Sequence, residues 1–361
     1  MEEMPVSPAP PTKRLFIWPF LKWGLFAVII VCAGERAVQL WRNSPRTELH
    51  IDVRWLIPAA VLYLFGSLPS VWFWRAMLQR MHQRVGWYEA IRAYYVGQVG
   101  KYVPGKALVL VLRGSLLKEA GANPVLAGMT AAYEALVFMW CGTALALALA
   151  PLTLPETFWQ QMPAVVKSLR QPAWLLPLAV LIGTLASTPF SAWLFTLVGR
   201  KTLPRDTGSP LPPAFTASLM VQGALITALG WLCHALSFGC TLQAISNRPF
   251  DLTLFPVWLA GVCVSTVGGF VVLVAPGGLG VREALLVEML KDQPTIGPAH
   301  AVVAAWLLRA VWLVTELTTA GVLFVAKPRS MIQPSSTPAA ERGDVSPSVL
   351  PNACKADESE G

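Results

Sequence analysis

Residues Gly97 to Leu117, GQVGKYVPGKALVLVLRGSLL, crowd four glycines, one proline and three cations into a chain otherwise dominated by long apolar runs. The Pro104-Gly105 pair breaks the helix. The apolar run that follows, Ala107 to Leu117, extends about 16 Å as a helix, against a hydrocarbon core of about 30 Å. It is half a span. Irregular backbone at that depth meets no water, so its N–H and C=O groups persist only where protein or a polar cavity surrounds them. The stretch therefore predicts a re-entrant element beside a cavity that holds cations.

A second stretch repeats the pattern. Ala275-Pro276-Gly277-Gly278-Leu279-Gly280-Val281-Arg282-Glu283 opens another short helix that closes near Leu290. Glycines let backbone N–H groups approach a ligand, and a helix N-terminus carries about half a unit of positive charge. Two such breaks predict one shared anion site, with phosphate the natural ligand. Its expected residues are Lys101, Pro104, Gly105, Lys106 and Arg113 in the first break, and Pro276, Gly277, Gly278, Gly280, Arg282 and Glu283 in the second. Arginine adds a planar fork suited to phosphate oxygens. The competing reading is topological: prolines and glycines merely break helices, and the cations snorkel to headgroups.

Composition sets the class. Of 361 residues, 55% are hydrophobic and 13% charged, and the mean hydropathy is +0.54, which predicts a polytopic membrane protein. The net charge of +8 falls mostly in loops between apolar runs, so it reads as topology signal and acidic-lipid contact, and no nucleic-acid partner is expected. Many of the fifteen tryptophans flank those runs, among them Trp18, Trp23, Trp55, Trp72, Trp74 and Trp174, as indoles at a membrane interface do. The six cysteines and four histidines form no CxxC or Cys/His cluster, so no metal and no cofactor is expected. His234, inside an apolar run, reads as a hydrogen-bonded helix contact.

In chain order the sequence predicts an all-α bundle of about seven to eight transmembrane helices with two Pro-Gly-broken re-entrant or half-helix elements. Residues 1–14 and 327–361, rich in Pro, Ser and charge, are expected to be disordered tails around a transmembrane domain at 15–326. The spans are expected near Leu15–Ala33, Trp55–Trp74, Val125–Ala150, Trp174–Val198, Ala214–Ile245, Leu252–Val274 and Pro298–Ala326. Lys22 interrupts the first run, which favours a retained span over a cleaved leader. Lys and Arg divide almost evenly between alternate loops, so they set the orientation only weakly.

Ionisable groups inside spans cost roughly 2.5–3.5 kcal/mol each on insertion scales and need partners or a role. Glu134 lies mid-span, and Arg309 and Glu316 share one face of the last span, two turns apart. Glu134 with Arg309 is the expected interhelical pair. An ion pair that only fixes packing is the alternative for the set.

The GKYVPGK stretch followed by Arg113, the PGGLGVREA stretch, the mid-span Glu134 and Arg309 together resemble the lysylphosphatidylglycerol synthase transmembrane-region family, the flippase-like membrane domain of bacteria and archaea. The likeness spans about residues 15–326. It implies a bundle of about eight helices with re-entrant pieces, a place in the cell (inner) membrane with cytoplasmic termini, and a role in handling lipids with charged headgroups. One departure is Ala135, where family members often carry an arginine directly after the middle-span glutamate. Fused synthases of the family carry a large soluble aminoacyl-transfer domain, and nothing after Ala326 resembles one.

Three functions compete at this level. The first is a lipid transporter that binds and flips lipids with anionic or phosphate-bearing headgroups, a phospholipid or a polyprenyl-phosphate-type lipid, by rocking helix groups around broken helices. The second is a non-transporting membrane subunit that supports a glycosyltransferase or lipid-modifying enzyme. An enzyme acting on lipid phosphate ranks last, since no nucleophile and base pair or metal motif is visible.

Overall fold

The computed structural model describes residues 17–43, 51–103, 107–168, 217–246 and 249–326, with scattered positions between 172 and 197. Among them there are helices and no strands. In chain order they are α1 (Ile17–Arg42), α2 (Leu56–Arg80), α3 (Trp87–Gln98), α4 (Leu108–Lys118), α5 (Pro124–Thr153), the short α6 (Glu156–Gln160) and α7 (Ala164–Ser168), α8 (Ala217–Gln243), α9 (Phe255–Val271), α10 (Val281–Leu290) and α11 (Gly297–Val325). Among the described residues six stretches are long and apolar enough to cross a membrane: Gly24–Arg42, Val53–Arg80, Pro124–Thr153, Ser218–Gln243, Leu252–Val271 and Gly297–Val325. The protein is multi-pass. The span expected at 174–198 lies mostly outside the described residues, as do the tails at 1–14 and 327–361.

Local chemistry explains where the spans begin. Asn123 accepts from the Val125 and Leu126 N–H groups at 2.9 and 3.3 Å, and Pro124 takes the first helical position, where a missing N–H costs nothing. Asp52 and Asp251 do the same through one-turn 3-10 lead-ins to α2 and α9, accepting from Arg54 N at 3.0 Å and Thr253 N at 2.9 Å. α1 continues past the expected stop at Ala33 to Arg42, and in this extension Arg36 lies 2.9 Å from Glu288 of α10. Trp74 is a second correction. It is fully buried, donating to Thr130 Oγ1 at 3.0 Å, and so is no interfacial anchor.

Side-chain and backbone contacts fix which helices share an end of the bundle. At the end where α2 starts, Asp52 N donates to Ala244 O at 2.7 Å and Trp55 stacks on Phe250 at 5.5 Å, so α8 finishes and α9 starts there. At the end where α2 finishes, Asn123 N donates to Gln83 Oε1 at 2.8 Å, which sets the start of α5 there. The same end holds the finish of α11, whose last carbonyls accept from α3: Leu323 O from Arg92 Nε at 3.1 Å, and Ala326 O from the Tyr88 hydroxyl. A buried cation at a helix C-terminus also meets the negative end of its dipole.

The two broken elements thus enter from opposite ends. α3 and α4 both have their outer tips where α2 finishes. α9 descends from the end where α2 starts, and α10 returns to it, with Glu288 beside Arg36 of α1. The α3–α4 hairpin closes tightly, since a Cβ on Gly100 would sit 2.6 Å from the Val109 nitrogen, so only glycine admits that approach. The elements meet at their breaks. The Tyr102 ring comes within 3.0 Å of where a Gly277 Cβ would stand. Two apolar clusters hold the frame, one around Trp231, Phe238, Trp258 and Leu290, the other around Phe73, Trp74, Met77 and Leu117.

Candidate functional site

Between the two apolar clusters lies a cavity of about 410 Å³, bordered by both broken elements and by α2, α5, α8 and α11. Its polar wall carries Lys101, Arg113, Glu134, His234, Gly277 and Arg282, with Tyr63, Tyr94 and Gln98 beside them. Its apolar wall carries Val109, Leu110, Leu136, Phe138, Phe270 and Leu273. A space lined by both charged and apolar side chains suits an amphiphile.

Burial forces the charges to find partners, and each of three cations does. Lys101, in the 3-10 turn Val99–Tyr102, donates to Glu316, which also accepts from the Tyr63 hydroxyl and from Tyr102 Oη, the latter at 2.7 Å. Arg113 of α4 reaches Glu134 of α5 at 2.9 Å, with its guanidinium 3.9 Å from the Tyr94 ring centre and 5.2 Å from that of Trp74. Both partners are about 3% exposed, so this pair is desolvated and geometrically fixed. Arg309 donates to Gly277 O at 3.0 Å, lies 3.5 Å from Glu283 and stacks 5.4 Å over Tyr102.

Glu134 therefore pairs with Arg113, not with Arg309 as the sequence suggested. The reason is packing: α4 folds back directly along α5, and the Gly114 position there is so close that a Cβ would lie 2.7 Å from Pro124 O. Arg309 and Glu316 do share a face of α11, as their spacing predicted, and they use it to grip the two breaks. Arg309 holds Gly277 in the second, and Glu316 holds Lys101 and Tyr102 in the first.

The second break is shaped by positive φ. Gly277, Gly278 and Gly280 have φ of 58°, 74° and 84°, which L side chains adopt only with strain. Pro276, Gly277 and Gly278 are buried in a one-turn 3-10 helix. Glu283 accepts from Gly280 N at 2.6 Å and so caps α10 while facing Arg309. Of the expected second-break residues, Gly277 and Arg282 line the cavity, and Pro276, Gly278, Gly280 and Glu283 stand behind it. Pro104, Gly105 and Lys106 lie outside the described residues.

Arg282 differs from the other three cations. Among the described residues it has no carboxylate within ion-pair distance; its Nε has no hydrogen-bond partner, a feature it shares with Arg113 and Arg309. Its stem passes where Gly269 leaves room, since a Cβ there would lie 2.4 Å from Arg282 Cγ. Sequence reading missed this glycine, along with the tyrosines Tyr63, Tyr94 and Tyr102. Their signal was present, for a tyrosine inside an apolar run needs a partner for its hydroxyl. His234 fits its expectation as a helix contact, lying 2.5 Å from Gly230 O, and it also borders the cavity.

The fold and these motifs agree with the comparison against known families. The family model described as the lysylphosphatidylglycerol synthase TM region matches residues 16–318. No curated protein sequence matches the chain. The matched region takes in five of the six spans among the described residues and most of the last, with both breaks and Lys101, Arg113, Arg282 and Arg309. The chain belongs to the lysylphosphatidylglycerol synthase transmembrane-region family.

Proposed function

We propose that the protein binds lipids with a phosphate-bearing, anionic headgroup in this cavity and moves them between leaflets. The observation that carries the reading is Arg282. Lys101, Arg113 and Arg309 each face a carboxylate, whereas Arg282 borders the cavity with none among the described residues. An arginine stays protonated in proteins, and an uncompensated buried charge is costly. A headgroup phosphate is the counter-ion that relieves it. Arg282 offers the fork, Arg113 adds positive charge at the cavity lining, and the apolar lining receives the start of the acyl or prenyl chains.

Transport follows from the two-ended build. The broken elements reach the cavity from opposite ends and meet at Tyr102 and Gly277, so displacing one element at a time opens the site to one end at a time. The start of α1 and the finish of α11 share the end that holds the tips of α3 and α4, and that end is assigned to the cytoplasm of a bacterial cell (inner) membrane. Lys101, Pro104, Gly105, Lys106, Arg113, Gly277 and Arg282 remain the proposed headgroup residues.

The test is leaflet exchange in liposomes containing the purified protein and fluorescent anionic or zwitterionic lipids. Exchange of the anionic probe should be faster with wild-type protein than with Arg282→Gln, with the two proteins equal in folding and incorporation. Equal rates for the variant and wild type would overturn the role of Arg282, and rates no faster than empty liposomes would overturn transport.

A further inference from the structure

A second basic cavity lies at the surface, where α2 turns into α3. It measures about 590 Å³ and is lined by Arg75, Gln79, His82, Gln83, Arg84 and Gly86 with Val85, none of which borders the headgroup cavity. We propose that this cleft is an anion site for a phosphate group at the membrane surface.

The cleft is built around a fixed guanidinium. Arg75 donates from Nε to Val85 O at 3.0 Å and lies 4.5 Å over the Trp87 ring. With its amide oxygen turned inward, Gln79 accepts from Nη1 and Nη2 at 3.2 and 2.9 Å. Arginine has five N–H donors, so these contacts hold the plane in place and leave two for a ligand. No carboxylate pairs with Arg75, Arg80 or Arg84 among the described residues. α3 opens at Gly86, which lines the cleft, without a side-chain cap, so the positive end of its dipole lies at the edge of the cleft. Glu89 is the acidic group at this end. Its Oε2 lies 2.1 Å from where a Gly86 Cβ would stand, so it sits beside the start of α3.

His82 supplies an independent sign. α2 ends in a Schellman turn, with Gln83 N donating to Leu78 O and His82 N to Gln79 O, both at 3.0 Å. The residue at the left-handed position of that turn is usually glycine, yet here it is His82 at φ 56°, the only non-glycine with positive φ among the described residues. Its side chain is exposed and lines the cleft, so it packs nothing that would repay the strain. An imidazole that donates to an anion accounts for its presence.

Inorganic phosphate and a headgroup phosphate share this chemistry, and two probes separate them. Full-length protein in phosphatidylcholine nanodiscs is melted against inorganic phosphate, with chloride at matched ionic strength as the blank, and against short-chain phosphatidic acid. Protection by inorganic phosphate identifies a soluble phosphate ligand, and protection by the lipid alone identifies a headgroup. Either result supports the site, provided that in the Arg282→Gln background, where the headgroup cavity contributes least, adding Arg84→Gln raises the half-saturating concentration about tenfold. His82→Gly sharpens the test, since removing the strain should raise the melting temperature without ligand while weakening phosphate protection. Absence of protection by both probes, or protection that survives Arg84→Gln and His82→Gly intact, would overturn the proposal.

Discussion

At the first break, Lys101 and Arg113 each meet a buried carboxylate, Glu316 and Glu134, supplied by α11 and α5. At the second, Arg282 meets none, while its neighbour Glu283 serves both the Gly280 N–H and Arg309. Both breaks have the same ingredients, a Pro-Gly pair followed within nine residues by an arginine. What separates them is the neighbour across the interface. A cation whose partner is built in is part of the frame, and a cation whose partner is missing waits for one.

The largest effect should come from unbalancing the first break. Glu134→Ala leaves Arg113 buried without its carboxylate between Tyr94 and Trp74, and breaking a buried pair from one side costs about 3–5 kcal/mol. Unfolding in detergent, followed by tryptophan fluorescence or temperature, is the measurement. The double variant Glu134→Leu/Arg113→Met should recover much of the loss, because it removes both charges at similar volume. If each single change costs under about 1 kcal/mol, the Arg113–Glu134 pair is not structural and Arg113 is free to serve as a ligand like Arg282.

Next comes the geometry of the second break. Gly277→Ala forces a side chain into φ 58°, and its Cβ would stand 2.6 Å from Arg309 Nη2 and 2.9 Å from the Tyr102 ring. A loss of about 1–3 kcal/mol is expected from strain of this kind. Because Gly277 touches both Tyr102 of the first break and Arg309 of the last helix, the same variant should also slow lipid exchange. Unchanged stability would mean the breaks are not locked to each other.

Much of this was legible in the sequence, and the limits have physical causes. Period and hydropathy report each helix by itself, so six of the expected spans, both half-helices and the shared face of Arg309 and Glu316 could be read directly. Pairing depends on which helices lie side by side, which no local pattern encodes. Glu134 was therefore matched to a distant arginine rather than to Arg113 on the hairpin folded against it. The same blindness hid the difference between the breaks, since Arg113 and Arg282 look alike until their surroundings are known. Trp74 repeats the lesson: a tryptophan at the end of an apolar run reads as an interface residue, yet the α3–α4 hairpin covers it completely.

Arg282→Gln should alter the stability of the lipid-free protein least among the charge removals, by less than about 1 kcal/mol and toward greater stability, because it deletes a half-buried charge that has no ion-pair partner. Added anionic lipid should raise the melting temperature of wild-type protein more than that of the variant, as linkage requires when only the folded state binds. A loss of several kcal/mol in the lipid-free variant would show that Arg282 has a structural partner, and the contrast between the breaks would collapse.

The smallest effect, and the most selective, belongs to Arg282→Lys. Charge is conserved, so any change reports geometry. An ammonium on a flexible stem acts as a point charge, whereas the guanidinium presents two parallel N–H groups to a pair of phosphate oxygens. The space left by Gly269 fits the flat Arg282 stem, with Cγ, Nε and Cδ all within 3.2 Å of a would-be Cβ, so the plane is set before a lipid arrives. Losing that fork should weaken anionic-lipid protection about fivefold to tenfold, with lipid-free melting unchanged and zwitterionic lipid unaffected. Native mass spectrometry of retained lipids, or lipid-dependent thermal shift, reads this directly. Should Arg282→Lys bind as tightly as wild type while Arg282→Gln does not, the second break supplies only a field for the headgroup, and selection among phosphate lipids must lie in the apolar wall formed by Phe138, Phe270 and Leu273.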